Sequence, residues 1–416
     1  MIRQQKPTAS PGFLRKIWRI FLVVLLMSAV YLIIDYRGPG TIDLHEDQAF
    51  ALPCLRARDL IIQEIDSTGN VWASRGMIVY RLNRGEQEFK RITHIPTGFS
   101  VFWLRNFTLL RRITVRPECV EFVQGKNGEI CALSAGKMWY KGPGDRQFQK
   151  TMELTHYGFG DQGMRNSGIL RANDSTLFFG EYFGNPQRTE VRIFESTDNG
   201  LSWQIAYTFK PGEVRHIHAL QKDPYTGKLW VCVGDTDQEA MVAWSEDNFR
   251  TLVPIGSGSG IWRVCQLVFT EEAVLWGTDT GQEIRGIYRW DKKSRELAKL
   301  NAVDGAVFYG TRLANGLIVQ STDREGWDIE PDHRTRLWIT YNNQYIGAID
   351  AGTWDNHKPG FRFKFAKLRF QRNQGSDLLA ISVLNQKEFN DGDLILISEN
   401  ELMKAVTDQA QITEIR

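Results

Sequence analysis

Two histidines at alternate positions are the residues best suited to chemistry in this sequence. His216 and His218 lie in the segment VRHIHALQ. If this segment is a β-strand, both imidazoles project from the same face of it. A pair of imidazoles at this spacing can hold a divalent metal, and an imidazole can also transfer a proton. The alternative is that both histidines are structural, as part of a polar lining.

Arginine and tyrosine occur in two similar segments further along the chain. GIWRVCQLVF contains Arg263, and AVFYGTRL contains Tyr309 and Arg312. A set of histidine, tyrosine and arginine resembles that of propeller-type polysaccharide lyases. The resemblance implies that the arginine neutralises a uronate carboxylate while a histidine or tyrosine abstracts the adjacent proton. The candidate catalytic residues are therefore His216, His218, Arg263 and Tyr309, and Arg312 is a candidate to bind substrate.

Acidic residues begin four loops, each directly after an apolar segment. The loops open with Glu181, with Asp235 and Asp237, with Asp279 and with Asp323. Carboxylates can accept hydrogen bonds from sugar hydroxyls, ligate a hard cation, or act as an acid and base pair. We expect Glu181, Asp235 and Asp279 to bind substrate. The alternative is that Gly-Asp and Thr-Asp are turn formers at strand ends.

A fifth loop combines polar and glycine residues. THYGFGDQG contains His156, Tyr157 and Asp161. Its glycines allow a ligand to approach the backbone closely, and they equally suit a plain turn. This loop is a further candidate for the rim of a site.

The elements that must position these residues form a repeat. A strand centred on a large apolar residue recurs at intervals of 44 to 59 residues, and a second apolar strand precedes each copy. The centres are Tyr80, Trp139, Phe194, Trp244, Tyr288, Trp338 and Ile397. Such a period, with about four strands per unit, is typical of a β-propeller, because one four-stranded sheet cannot bury both of its faces. The seven units predict an all-β, seven-bladed β-propeller, with six blades as the alternative if the last unit is not a blade.

A return strand follows at a fixed offset in the first five units. A second apolar residue lies nine positions after the central one, as in Tyr80 and Phe89. The constant offset predicts outer hairpins of one register, with both residues packed between the same two blades. An open edge would aggregate, so the terminal blade needs a closing strand. We expect that strand from residues 58–66 or from the C-terminal ITEIR.

The third hairpin carries a turn motif, ESTDNGLSWQ, at residues 195–204. Ser196 and Asp198 can accept hydrogen bonds from the turn backbone, and Gly200 can adopt a positive φ. Trp203 can pack its ring under the turn. These residues resemble the Asp-box, or BNR repeat, of the sialidase-like propellers. The resemblance implies the fold, and it implies a structural rather than a catalytic role, since such boxes lie at the outer hairpin.

The resemblance to sialidases is limited to this motif and to the architecture. The next unit has only a partial copy of the box, with Ser245 and Asp247. True sialidases carry an Arg-Ile-Pro sequence near the start of the propeller, and this chain has His94-Ile95-Pro96 there. Sialidase catalysis therefore does not follow from the resemblance.

A hydrophobic run near the N-terminus predicts a membrane anchor. The run Ile20 to Ile34 follows five basic residues and no acidic one, and Trp18 and Tyr36 flank it. Its 15 residues span about 22 Å, less than the roughly 30 Å of a bilayer core, so a cleaved signal peptide is the alternative. No A-x-A-like site follows, which favours a retained signal-anchor. The positive flank stays inside, and the remainder is expected outside the cytoplasm in the periplasm, at the cell surface or in a lumen.

These boundaries predict a domain order. We expect a basic cytoplasmic tail at 1–19, a transmembrane segment at 20–36, a linker at 37–56 and the propeller at 57–416.

Charge and cysteine content argue against several classes of function. A net charge of +2 gives no electrostatic reason to expect a nucleic-acid partner. The five cysteines include no C-x-x-C pair, so neither a zinc ribbon nor a thioredoxin motif is present. Cys119 and Cys131 form a disulfide in one interpretation and are buried free cysteines in the other.

The sequence therefore predicts a single-pass membrane protein whose sialidase-like propeller binds or modifies a cell-surface glycan, in particular an anionic polysaccharide. If it is an enzyme, it is a glycoside hydrolase or a polysaccharide lyase. A divalent metal at His216 and His218 is the candidate cofactor. The alternative is a non-catalytic propeller that scaffolds a membrane or envelope assembly through a protein partner.

Overall fold

The computed structural model describes residues 11–97, 102–114, 120–156, 168–356 and 365–414. Within them the helices are α1 (Pro11–Arg37), α2 (Phe102–Asn106), α3 (Thr108–Thr114) and α4 (Glu399–Glu414), and Gly260–Trp262 is a 3-10 turn.

The remaining elements are β-strands. In chain order they are β1 (Thr41–Asp43), β2 (His45–Ala49), β3 (Leu52–Ala57), β4 (Ile61–Ile65), β5 (Val71–Arg75), β6 (Ile78–Leu82), β7 (Glu88–His94), β8 (Glu121–Gln124), β9 (Ile130–Ser134), β10 (Lys137–Lys141), β11 (Gln149–Glu153), β12 (Ile169–Arg171), β13 (Leu177–Gly180), β14 (Val191–Ser196), β15 (Gln204–Phe209), β16 (Ile217–Lys222), β17 (Leu229–Val233), β18 (Met241–Ser245), β19 (Val253–Ser257), β20 (Val264–Phe269), β21 (Ala273–Thr278), β22 (Gly286–Asp291), β23 (Leu297–Ala302), β24 (Val307–Arg312), β25 (Ile318–Thr322), β26 (Arg334–Tyr341), β27 (Gln344–Thr353), β28 (Lys367–Phe370), β29 (Leu378–Leu384) and β30 (Asp393–Ser398).

The strands form seven antiparallel sheets, which are the blades of a seven-bladed β-propeller. Each blade runs outward from one innermost strand, and the innermost strands are β4, β8, β12, β16, β20, β24 and β28. Neighbouring innermost strands contact one another around the ring, and β28 contacts β4. The ring is therefore closed, and the predicted seven units are confirmed as blades.

The closing strand comes from a segment that the sequence analysis assigned elsewhere. Leu55 of β3 pairs with Leu396 of β30, and β2 adds a further strand outside β3. Residues 61–65 instead form the innermost strand of the first blade, and the C-terminal segment lies in α4 up to Glu414. Residues 41–57, which fall mostly in the predicted linker, thus belong to two propeller sheets. Pairing between the two ends of the chain therefore completes the last blade and closes the ring.

The outer hairpins pack largely as their spacing predicts. Tyr80 and Phe89 are fully buried in one hydrophobic cluster, and Trp139 with Phe148 and Phe194 with Trp203 share clusters in the next two blades. The fourth pair is the exception, because Val253 is exposed.

Helix α1 is long and apolar enough to cross a membrane. The stretch Trp18–Arg37 has 20 residues and a mean hydropathy of 2.0, and its apolar window is not buried. At 1.5 Å per residue the stretch is about 30 Å long, close to the thickness of a bilayer core.

The described cysteines are free. Cys131 is fully buried, and burial raises the pKa of its thiol to about 12. Its candidate disulfide partner, Cys119, lies outside the described residues.

Candidate functional site

Antiparallel pairing places the candidate residues at one face of the ring. Ile217 at the start of an innermost strand pairs with Val233 at the end of the second strand. The residues just before each innermost strand therefore lie beside the loop that links the second and third strands. We call this face, marked by His216, Asp235 and Asp279, the site face.

Three side chains converge at the site face. The Nε2 atoms of His216 and His218 are 3.0 Å apart, and the Asp235 Oδ1 lies 3.2 Å from the first and 3.0 Å from the second. Both imidazoles are buried, and Asp235 is half-buried. The predicted alternation of His216 and His218 thus brings both rings to one point, together with the carboxylate of the following loop. We call His216, His218 and Asp235 the triad.

Backbone carbonyls fix the orientation of both imidazoles. The His216 Nδ1 is 3.2 Å from the Phe183 carbonyl oxygen, and the His218 Nδ1 is 3.1 Å from the Val264 carbonyl oxygen. A carbonyl only accepts, so each Nδ1 carries the hydrogen and each neutral ring presents its Nε2 lone pair to the site. Two lone pairs and a carboxylate oxygen then face one another, and they require a cation or a proton between them.

The spacing of these three atoms fits a metal ion. Two ligand atoms about 2.1 Å from an ion and at a right angle to each other are about 3.0 Å apart. Two histidines and one carboxylate on one side of an ion leave its other positions open to water or substrate. The carbonyls that hold each Nδ1 are the kind of outer partner that metal-ligating histidines use.

The surrounding charge holds Asp235 ionised. Burial raises the pKa of this carboxyl, but its interactions with the His216 and His218 imidazoles outweigh burial and hold the pKa well below its usual range. The Asp235 Oδ2 also lies 2.9 Å from Arg215 Nη1. An ionised carboxylate is the form that ligates a metal.

A second group of ligand-type atoms adjoins the first. The Cys265 Sγ lies 4.0 Å from the His218 Nδ1 and donates to Asp279 Oδ2 at 3.3 Å. Arg263 Nε is 3.4 Å from the same Asp279 oxygen and 4.0 Å from Asp235 Oδ1. No donor among the described residues reaches the buried Asp279 Oδ1. Arg263 therefore links the two carboxylates.

Glu181 and His156 lie next to these groups. Burial raises the pKa of Glu181 to about 7, against the hydrogen bond that the Arg192 backbone N–H donates to it. The His156 Nδ1 is 3.8 Å from Glu181 Oε1, and its ring stacks on Phe183 at 4.4 Å. Phe183 is the residue whose carbonyl holds His216, so this pair borders the triad. Tyr157 and Asp161 of the same loop lie outside the described residues.

Of the remaining predicted site residues, Arg312 lies elsewhere and Tyr309 is buried. Tyr309 is buried in a hydrophobic cluster with Phe370, and their ring centroids are 6.4 Å apart. Arg312 lies at the far end of β24, where it lines a cavity of about 1000 Å³ together with Arg171 and Arg372. That cavity is at the mouth opposite the site face, because its lining residues include the ends of the innermost strands. The expectation that Arg312 joins the histidines is wrong, whereas Tyr309 lies in the same hydrophobic cluster as Cys265.

Asp323, the fourth acidic loop residue, is fully buried rather than on the rim. Burial raises its pKa well above the usual range, against the attraction of Lys367. A protonated, buried carboxyl does not suit the accessible binding role that its loop position indicates.

The turn motif forms the hydrogen bonds and the positive φ that its residues predict. The Ser196 Oγ accepts from the Gly200 N–H at 2.7 Å, and Asp198 Oδ1 accepts from the Ser202 N–H at 2.9 Å. Gly200 has a φ of 98°, and a Cβ there would lie 2.6 Å from Cys131 Sγ. All of these contacts are internal to the hairpin and its neighbour, at the opposite face from the histidines.

Sequence reasoning overlooked Cys265 as a site residue. It is two positions after Arg263, so strand alternation places both side chains on the same side of the chain. That spacing is the signal that marks it.

The comparisons with known proteins identify the fold. No protein-family model matches the chain, and no curated protein matches it. The chain is similar to a chain of the mitotic checkpoint complex, with 12% identity over 86% of this chain and 94% of that one and a TM-score of 0.50. It is also similar to an oligogalacturonate lyase in complex with manganese, with 11% identity over 87% of this chain and 98% of that one and a TM-score of 0.52. At such identities the likeness defines the chain as a β-propeller and no more.

Proposed function

We propose that this propeller binds a divalent metal at His216, His218 and Asp235 and uses it to bind and modify an anionic glycan outside the cytoplasm. The observation that carries the proposal is the convergence of two Nε2 lone pairs and one carboxylate oxygen within 3.2 Å. Without a cation, that arrangement is stable only with an added proton.

The charge around the triad favours an anionic ligand. Arg215 and Arg263 flank the triad, and their side chains are 38% and 25% exposed while both histidines are buried. Guanidinium groups bind carboxylates in a planar, bidentate manner. The manganese complex of an oligogalacturonate lyase supports the same chemistry on this fold, because oligogalacturonate is a chain of uronates.

A lyase reaction suits the available groups best. A bound metal supplies positive charge that stabilises a uronate carboxylate as the adjacent C–H becomes acidic. A base then removes that proton, the bond from the next carbon to the leaving sugar oxygen breaks, and that oxygen takes up a proton from the base or from water. The products are an unsaturated uronate and a new sugar hydroxyl. His156 is the candidate base because it is partly exposed, and Glu181 is its positioning residue. A hydrolase would instead yield two saturated products.

The test is an assay of the full-length chain in detergent with oligogalacturonate, other uronate polymers and a sialylated glycan. We expect an unsaturated product from a uronate substrate with Mn²⁺, loss of activity with a chelator, and loss of activity in His218→Ala. Asp237→Asn, two residues after Asp235 on the same loop, is the matched control and should remain active. Absence of any product from every glycan contradicts the proposal and favours the scaffold function.

A further inference from the structure

The connection between the first two blades carries two exposed apolar side chains. Trp103 of α2 is 53% exposed and Leu109 of α3 is 62% exposed. Outside α1, these are the most exposed large apolar side chains among the described residues. We call α2 and α3 together the helical insert. An exposed apolar pair on a short insert indicates a surface that contacts either a membrane or another protein.

The insert packs on the end of the candidate transmembrane helix. Asp35 of α1 accepts hydrogen bonds from both the N–H and the Oγ1 of Thr108, each at 2.7 Å. The Tyr36 ring lies 5.5 Å from Phe102 and 6.5 Å from Phe107 of the insert. The exposed pair therefore lies next to the point where α1 leaves the propeller.

The end of α1 is also fixed to the first blade. Asp35 lies 3.9 Å from Arg75, and the Tyr80 hydroxyl donates to the Pro39 carbonyl oxygen at 2.8 Å. Cleavage of a signal peptide near Gly38 would remove Asp35 and Tyr36 and uncover the insert. These contacts favour a retained α1 over a cleaved one.

The insert and the end of α1 lie at the site face. Ile61 at the start of the first innermost strand pairs with Ser74, so Arg75 and the following turn are at the same face as Asp235. The insert follows His94, which pairs with Ile78 at that same end of the blade. Helix α1 thus leaves the ring from the face that holds the triad.

We propose that the helical insert lies in the interfacial region of the bilayer that α1 crosses, with Trp103 and Leu109 in contact with lipid and the site face turned toward the membrane. The occupant is lipid because the pair adjoins the exit of an exposed apolar helix 20 residues long. Tryptophan favours the interface, and interfacial helices bury their apolar face about 5 to 10 Å into the boundary between headgroups and acyl chains. If the proposed function holds, a glycan that reaches the triad is one held close to the membrane surface.

The proposal is tested on the full-length chain reconstituted in phosphatidylcholine and phosphatidylglycerol vesicles. Trp103→Cys and Leu109→Cys are each made with Cys119→Ser and labelled with an environment-sensitive fluorophore, since the other four cysteines are buried. Leu201→Cys is the matched control, because Leu201 is an exposed apolar residue, 42% exposed, at the hairpin tip on the opposite face.

We expect lipids with a nitroxide near the headgroup to quench most of the emission from positions 103 and 109 and little of that from position 201. Aqueous iodide should show the reverse order. Equal quenching of all three positions by iodide overturns the proposal. Protection of positions 103 and 109 from both quenchers also overturns it, since a second copy of the chain would then cover the insert.

Discussion

Replacement of Asp235 by asparagine separates metal binding from folding. The carboxylate Oδ1 lies 3.0 and 3.2 Å from the two Nε2 atoms, so the variant loses the one anionic member of the triad. The asparagine amide can donate to an imidazole lone pair, and its oxygen can still accept from Arg215. We therefore expect the metal-free variant to fold, and to lose only its response to metal.

The size of that response follows from linkage. A metal at 100 times its Kd stabilises the wild-type protein by about 2.7 kcal/mol. The entropy of unfolding is about 2.1 cal/mol/K per residue, or about 0.8 kcal/mol/K for roughly 370 residues. Dividing the stabilisation by this entropy gives an expected rise in Tm of about 3 °C. Loss of even an outer partner of a metal ligand lowers affinity up to about 100-fold. The variant at the same concentration then gains about 0.4 kcal/mol, or about half a degree.

The assay is thermal unfolding of the full-length chain with and without Mn²⁺. Asp237→Asn removes a carboxylate from the same loop without touching the triad, and it should keep the wild-type rise in Tm. An Asp235→Asn protein that keeps a rise of about 3 °C would refute the assignment of this carboxylate as a ligand. So would a wild-type protein whose Tm does not respond to Mn²⁺, Zn²⁺ or Fe²⁺.

Three further predictions concern stability. Because burial raises the pKa of Glu181 to about 7, its contribution to the free energy of unfolding is full below about pH 4.5 and is lost as pH rises through 7. In denaturant titrations at pH 5 and pH 8, Glu181→Gln should reduce this loss of stability by up to about 3 kcal/mol. Equal losses in the wild-type protein and the variant would count against the raised pKa. Asp198→Ala should lower stability by about 1 kcal/mol and leave the Tm response to metal unchanged, since its bonds are confined to one turn; a lost metal response would show that the hairpin affects the site. Leu55→Pro should cost about 3 kcal/mol or more in denaturant unfolding, because β3 lies between β2 and β30; a wild-type midpoint would show that the closing strand is dispensable.

The blades could be predicted because each carries its own local pattern. A central apolar residue and a second one nine positions later mark the hairpin, and pairs such as Tyr80 and Phe89 share one cluster. The closing strand has no such pattern. β3 contains Pro53, and most of β2 is exposed. Its pairing is with β30 at the other end of the chain, and no local spacing encodes that contact.

The triad was predictable in part for a similar reason. His216 and His218 are two apart on a strand, and Asp235 begins the loop beside the same strand end, so alternation and antiparallel pairing bring them together. Arg312 fails because it lies five residues beyond Val307 on β24, or roughly 16 Å toward the opposite mouth. For Tyr309, residues from neighbouring blades decide whether the side chain faces the channel or the core, and sequence spacing does not contain that information.

The central claim, a metal held by His216, His218 and Asp235, is tested most directly by the metal content of the purified full-length chain. After equilibration with Mn²⁺ and removal of free ion, elemental analysis should find about one metal per chain in the wild-type protein and in Asp237→Asn. It should find almost none in His216→Ala combined with His218→Ala. Equal metal content in the wild-type protein and the double variant, or no bound metal in either, would contradict the account.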